Sequence, residues 1–147
     1  MKFHYLARGI IRHSGKILLA HQKGATNTFL PGGHIGTDEG AEAALVREIQ
    51  EEMGKAAIVE GFVGAVEHRW MEQAEENTEI NLIFELTVPG LDTSAAPQAM
   101  ERHLEFEWAE QNELQQRNLQ PHPLQGCLLR RDYRPLWAST ISATNSM

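Results

Sequence analysis

Three carboxylates, Glu48, Glu51 and Glu52, crowd the end of one helical run, residues 38 to 53, that Gly54 closes. At about 100° per residue they share one face, at spacings where side chains touch. Like charges so placed repel by roughly 0.2–0.5 kcal/mol per pair. Near the negative end of the helix dipole each carboxylate loses roughly 0.3–1 kcal/mol more. A sequence tuned for helix stability would carry lysines there. Arg47, one turn before Glu51, offsets part of the cost, and a divalent cation would offset far more. Mg²⁺ takes oxygen ligands, keeps several waters, and uses one or two carboxylates together with substrate phosphates; Mn²⁺ accepts the same donors. Taken alone, the acidic run also reads as an ordinary solvated helix face.

The elements that position these groups follow from periodicity. Thr37 or Asp38 can cap the helix, Asp38, Glu39 and Glu42 favour its first turn, and Leu45, Ile49 and Met53 form its apolar stripe. Residues 3–13 and 16–22 read as a hairpin about Ser14-Gly15, and residues 24–28 as a loop leading through Phe29-Leu30-Pro31 to Gly32-Gly33. Residues 56–70 read as a strand with a bend near Gly61 or Gly64, and 71–77 as an exposed acidic turn. Residues 78–88 alternate, with Glu79, Asn81, Ile83 and Glu85 on one face, and 104–110 form a short strand. Short helices are expected within 109–118 and 123–131, and a weakly structured tail over 132–147, where Tyr133 and Trp137 pack on the domain or in a dimer. Strands on both sides of one strong helix predict an α/β fold, a mixed sheet between helical layers, in a single domain over residues 1–131.

Composition narrows the function. The 147 residues carry a net charge of −7, which disfavours nucleic-acid backbone as a partner and permits small anionic substrates bridged by metal. The single cysteine, Cys127, makes no internal disulfide and fits a reducing, cytoplasmic setting. No stretch approaches membrane-span length, and residues 1–10 lack a signal-peptide core. The seven histidines are scattered without zinc-ligand spacing.

The spacing of the acidic helix is specific. Gly33 is followed after five residues by Glu39, after seven more by Arg47-Glu48-Ile49, then by Glu51-Glu52 and Gly54. This resembles the Nudix box, G-x5-E-x7-R-E-U-x-E-E-x-G-U with U a bulky aliphatic residue, and departs from it only at the last position, Lys55. The resemblance implies a Nudix-type α/β/α sandwich and Mg²⁺-dependent hydrolysis of a nucleoside diphosphate linked to another moiety X. It implies Glu48, Glu51 and Glu52 as metal ligands with the Gly33 or Gly32 carbonyl. It implies Arg47 as the residue that orients the glutamates, Glu39 as its partner, and a further glutamate from a later loop.

For that later glutamate the candidates are Glu101 and Glu105. Candidates for substrate contact are Gly32, Gly33, His34, Arg69 and Glu79, with His68, Trp70 and Phe29 nearby. Two other readings share the fold: a sensor that binds a nucleotide derivative without cleaving it, and removal of diphosphate from RNA 5′ ends. The complete box weighs against the first and the acidic charge against the second. The partner expected is a small-molecule nucleotide derivative, and a homodimer is compatible with the resemblance.

Overall fold

The computed structural model describes residues 1–130 and 135–141. Among these, seven strands form a mixed sheet: β1 (Lys2–His13), β2 (Lys16–Gln22), β3 (Gly32–His34), β4 (Ile58–Glu72), β5 (Glu75–Thr87), β6 (Leu104–Glu110) and β7 (Leu136–Ser139). The order is β6-β2-β1-β5-β4-β7, and β3 pairs with β1. A helix, α1 (Ala41–Met53), a 3₁₀ turn (Gln111–Glu113) and a short helix, α2 (Pro123–Cys127), complete the elements. No described helix is long and apolar enough to cross a membrane.

The sheet separates two cores. On one face Leu45, Ile49 and Met53 of α1 pack on Ala7, Ile11, Phe84 and Leu86. On the other, Ile10, Ile83 and Val66 meet Leu114, Leu119, Leu124 and Leu128, contributed by the segment that holds α2. Each fully buried Leu or Ile is worth about 1.5–3 kcal/mol, and together they fix which side of each strand faces which layer. β1 and β5 run parallel in the middle, from Lys2 opposite Asn77 to Ile11 opposite Leu86. Covered on both faces, such a pair needs the Ile- and Leu-rich sequence seen here. In this register His4, Arg8 and Ile10 share a side with Glu79, Asn81 and Ile83, the side of α2.

One edge of β1 belongs to β5. The other is divided: β3 pairs with Leu6, Ala7 and Arg8, and β2 pairs with Arg12 and His13. The chain between β2 and β3 therefore leaves the sheet and returns, which opens a cleft beside Arg8.

Several boundaries differ from the sequence reading. The helix starts at Ala41, with Gly40 at its N-cap in extended conformation and no side-chain cap. Glu39 is unavailable to the helix start because its carboxylate accepts from Gly36 N at 2.7 Å and from Arg47. Gly54 closes the helix as expected, in the left-handed region at φ 67°. The acidic segment 71–77 belongs instead to a long hairpin, with Gln73 and Ala74 turning at φ 50° and 67°. Such turns usually carry Asn-Gly, so Gln73-Ala74 offers little local signal of a hairpin. The bend near Gly61 and Gly64 takes the form of two register shifts in β4 against β5. Glycine-rich residues 32–34 pair as a strand, and Leu136–Ser139, assigned by sequence to the tail, form β7 parallel to β4. Tyr133 lies outside the described residues.

Gly64 is where β7 comes closest to β4: a Cβ there would lie 2.1 Å from the Leu136 carbonyl oxygen. Gly64→Ala is expected to cost about 1–3 kcal/mol in urea unfolding, because β7 must move away. Gly126→Ala, whose Cβ would meet nothing within 4 Å, should match or exceed the native stability. Equal stability of the two variants would contradict this account of how β7 is held.

Candidate active site

The site forms where the C-terminal half of α1 crosses β3. The approach is so close that two glycines line it. A Cβ on Gly32 would lie 2.0 Å from the Ala7 carbonyl oxygen, and Gly32 also has φ 139°. A Cβ on Gly33 would lie 2.5 Å from the Glu48 carboxyl carbon. The backbone of β3 is thus the floor on which the acidic face rests.

Glu52 is the most deeply buried of the three box carboxylates, 5% exposed. Its Oε1 accepts a long hydrogen bond, 3.3 Å, from Gly32 N. Burial pushes its carboxyl up to about 8, with Glu48 and Glu101 adding to the rise while Arg8 and the Gly32 N–H oppose it. Glu48 is also raised, again chiefly by burial, against the lowering effect of Arg47. Glu51 is half exposed and turned to Arg47, with Oε2 2.9 Å from Nη1.

Two arginines hold this cluster in different ways. Arg47 grips from outside: its guanidinium donates to both Glu39 oxygens at 2.6 and 3.1 Å, to Glu48 at 3.1 Å, to Glu51, and to the His34 carbonyl at 3.1 Å. The fork on Glu39 is the bidentate arrangement that fixes a guanidinium plane. It holds the Glu39 carboxyl below its usual range, with the Gly36 N–H assisting. Arg8 acts from beneath. Its Nη1 donates to the Leu30 and Gly32 carbonyls at 3.2 and 3.1 Å, and its guanidinium lies 5.2 Å from the Phe29 ring centre. Desolvation lowers its pKa, and the charges of Glu79, Glu52 and Glu48, in that order, oppose the fall.

These donors suit a hard divalent cation. Among the described residues no three Asp, Glu, His or Cys side chains converge tightly enough to ring an ion as they stand. Two carboxylates of raised pKa, Glu48 and Glu52, nonetheless share one backbone floor. That matches Mg²⁺, which uses one or two carboxylates and keeps its waters, better than a cage-forming metal.

A cavity of about 520 Å³ opens on the α2 side next to this cluster, with Arg8, Phe29, His68, Trp70, Glu79 and Asn81 among its walls. The volume is in the range of small-molecule sites. Trp70 is stacked between His4 and His68, at centroid distances of 5.5 and 5.4 Å, so one wall is a ladder of rings. His4 also touches His34, Nδ1 to Nε2 3.0 Å, and Asn77 Oδ1 at 2.9 Å.

The sequence candidates fall into separate groups. Glu39, Arg47, Glu48, Glu51, Glu52, Gly32 and Gly33 come together. His34 sits beside them, its pKa lowered by desolvation and by the nearby His4 and Arg8 charges. Glu79 lines the cavity. Glu101 lies close enough for its charge to raise Glu48 and Glu52, because Met100 N donates to the Glu52 carbonyl at 2.8 Å and draws that loop to the helix end. Glu105 stands apart on β6, half exposed and 3.7 Å from His21. Arg69 points to the α1 side of the sheet, bound to Thr78 Oγ1 at 3.2 Å and 3.7 Å from Glu76, and it is not part of the cavity wall. Arg8 was not singled out in the sequence. Its signal was a lone charge among alternating apolar residues in Tyr5–Ile11, on the face of Leu6 and Ile10.

With this geometry in view, comparison with known proteins is decisive for the family. Residues 4–127 match the NUDIX domain, and the chain belongs to the Nudix family. It is 35% identical over 98 residues to an ADP-ribose pyrophosphatase of Methanocaldococcus jannaschii, a match covering 63% of this chain and 56% of that relative. The chain thus spans little more than half the length of that relative. Its structure is similar to that of the E. coli ORF135 protein, with TM-score 0.63, 30% identity, and coverage of 92% of this chain and 96% of that one. It also shares its fold with a NUDIX hydrolase from Nitrosomonas europaea, at TM-score 0.65 and 21% identity over 87% of this chain and 86% of that one.

The raised Glu52 carboxyl sets a pH dependence. Its ordinary value is 4.5 and its value in the fold about 8, so between these the folded metal-free chain holds a proton that the unfolded chain has released. Stability therefore falls as pH rises from the ordinary value toward the raised one. With about 1.4 kcal/mol per pKa unit, the loss reaches a few kcal/mol at most. In EDTA, urea unfolding across this window should show the decline, and Glu52→Gln should flatten it. A variant with the same slope as the native chain would remove Glu52 as its source.

Proposed function

We propose that this chain is a divalent-metal-dependent hydrolase of nucleoside diphosphate derivatives, cleaving the P–O–P link between the nucleotide and a second moiety X. One observation carries the reading: two carboxylates of raised pKa, buried Glu52 and part-buried Glu48, share the Gly32-Gly33 floor, and Arg8 beneath that floor also lines a cavity of nucleotide size. The name of the archaeal relative, an ADP-ribose pyrophosphatase, supports a diphosphate-linked substrate class.

The residues divide the work. Glu48 and Glu52 are the proposed ligands, with Glu51 free to join them by leaving Arg47 and with the Gly33 carbonyl near. Mg²⁺ or Mn²⁺ held there would neutralise the phosphate oxygens and activate water. Arg47, braced by Glu39, keeps the glutamates in place and the helix fixed against His34. Arg8 contributes positive charge beneath the phosphate-binding floor without closing a salt bridge on the ligands. Glu101, whose charge acts on Glu48 and Glu52, is the proposed acceptor of a proton from the attacking water. Water attacks one phosphorus, and the bond from that phosphorus to the bridging oxygen breaks. The products are a nucleoside monophosphate and phosphorylated X, or pyrophosphate when the substrate is a triphosphate. Positioning and electrostatics dominate such transfers, so a rigid acidic template suffices.

The test is release of phosphorylated products from a panel of nucleoside diphosphate derivatives and triphosphates. Turnover is expected with Mg²⁺ or Mn²⁺ and lost in EDTA. Glu48→Gln and Glu52→Gln should each lower kcat by about 10²-fold or more, in line with loss of a preorganised electrostatic group. Undiminished metal-dependent turnover in both variants would sink the assignment.

A further inference from the structure

The cavity beside the acidic cluster has a one-sided chemistry at its inner end. Asn81, 1% exposed, commits its amide nitrogen twice, to the Val66 carbonyl at 3.3 Å and to Glu79 Oε2 at 2.6 Å. Both neighbours are acceptors, so the amide cannot be turned round without setting two oxygens against its own. Its Oδ1 is therefore fixed as an acceptor, and no protein donor reaches it. A buried acceptor without a donor costs about 1–3 kcal/mol, so it is not a feature that stability alone selects. Beside it Glu79, 9% exposed, offers the rest of its carboxylate to the cavity. Among the described residues no salt bridge within 4 Å closes on Glu79, although it is the largest charge acting on Arg8. Glu79 thus stands on β5, held by Asn81 two residues on along the same strand face, as a carboxylate acceptor in the wall of a cavity that Arg8 also lines.

We infer that Glu79, backed by Asn81, reads the nucleobase and selects bases that present an exocyclic amine over those that present a keto oxygen at that edge. An amine gives its protons to the carboxylate. A keto oxygen in its place meets an acceptor with no proton to share, and it stays desolvated and unpaired. Sites built to hydrogen-bond a particular group discriminate strongly against analogues that lack it. This rests on the proposed nucleotide-hydrolase reading and deepens it, by naming the base class and the residue that reads it. Glu79 also opposes the charge of Arg8, but that role would affect every base alike. The ratio between bases separates the two.

The experiment compares kcat/KM for pairs that differ by one amine: CTP against UTP, and ATP against ITP, each with Mg²⁺. The native chain should favour the amino member of at least one pair by about tenfold or more. Glu79→Gln, whose amide can also donate, should bring that ratio to near one or invert it. Equal rates within both pairs, a preference for the keto member, or an unchanged ratio in Glu79→Gln would overturn the inference. If Glu79→Gln does not fold, calorimetric binding of CMP and UMP, and of AMP and IMP, to the metal-free native chain decides in its place. Tighter binding of an amino member supports the inference, and equal or weaker binding overturns it. That binding measurement also separates the two proposals. No turnover of any substrate with Mg²⁺ or Mn²⁺ defeats the hydrolase reading, whereas base-blind binding defeats only this one.

Discussion

The structure depends on one close approach, the seating of the acidic face of α1 on the backbone of β3. A side chain at Gly33 would displace the Glu48 carboxyl, and one at Gly32 would strike β1. The stripe Leu45, Ile49 and Met53 sets how deep the helix sits, Gly54 ends it, and the Met100 N–H takes the Glu52 carbonyl as the helix runs out. The depth of that seat is what pushes the Glu52 carboxyl to about 8. A shallower helix would leave ordinary carboxylates in water, with little reason to recruit a cation.

Arg8 shows how the chain avoids neutralising its own site. A guanidinium within salt-bridge distance of Glu52 would satisfy the carboxylate and leave it nothing to offer a metal. Arg8 instead spends its hydrogen bonds on two backbone carbonyls, at Leu30 and Gly32, and acts on the glutamates only through its field. Arg47 does the opposite. It binds side chains directly, but chiefly Glu39 and Glu51, the more peripheral acids. Most of the positive charge of the site therefore sits where it orients the cluster without quenching it.

The acidic helix was legible in the sequence because it is local. Its period, its closing glycine and the cost of three like charges all lie within about twenty residues. What escaped depends on partners distant in the chain. Gly32–His34 looks like a loop because a three-residue strand has no period, and it becomes a strand only against Leu6–Arg8. Arg69 and His68 are neighbours, yet they face opposite layers; which one reaches the cavity is set by the register of β4 on β5 and its two shifts. Glu101 and Glu105 differ by four residues, and a single backbone hydrogen bond from Met100 decides which is drawn to α1. The hairpin turn at Gln73-Ala74 uses residues that do not favour positive φ, so the pairing of the flanking strands imposes the turn rather than the reverse.

The divided edge of β1 sets the proposed metal site and the proposed base-reading wall side by side on one small sheet. Because β3 takes Leu6–Arg8 and β2 takes Arg12–His13, the connecting loop must swing outward between them. Arg8 thus lies at the rim between the acidic floor and the cavity. From there the strand face runs across to Glu79 and Asn81 on β5 and to His68 and Trp70 on β4, all on the α2 side. The carboxylates of α1 are held by packing on the opposite side of the sheet. Substitutions on the α2-side wall can therefore alter what the cavity accepts while the core beneath α1, and with it the geometry of Glu48 and Glu52, is left undisturbed. Arg8 is the exception, since its charge reaches both Glu79 and the glutamates, and changes there should not separate the two functions.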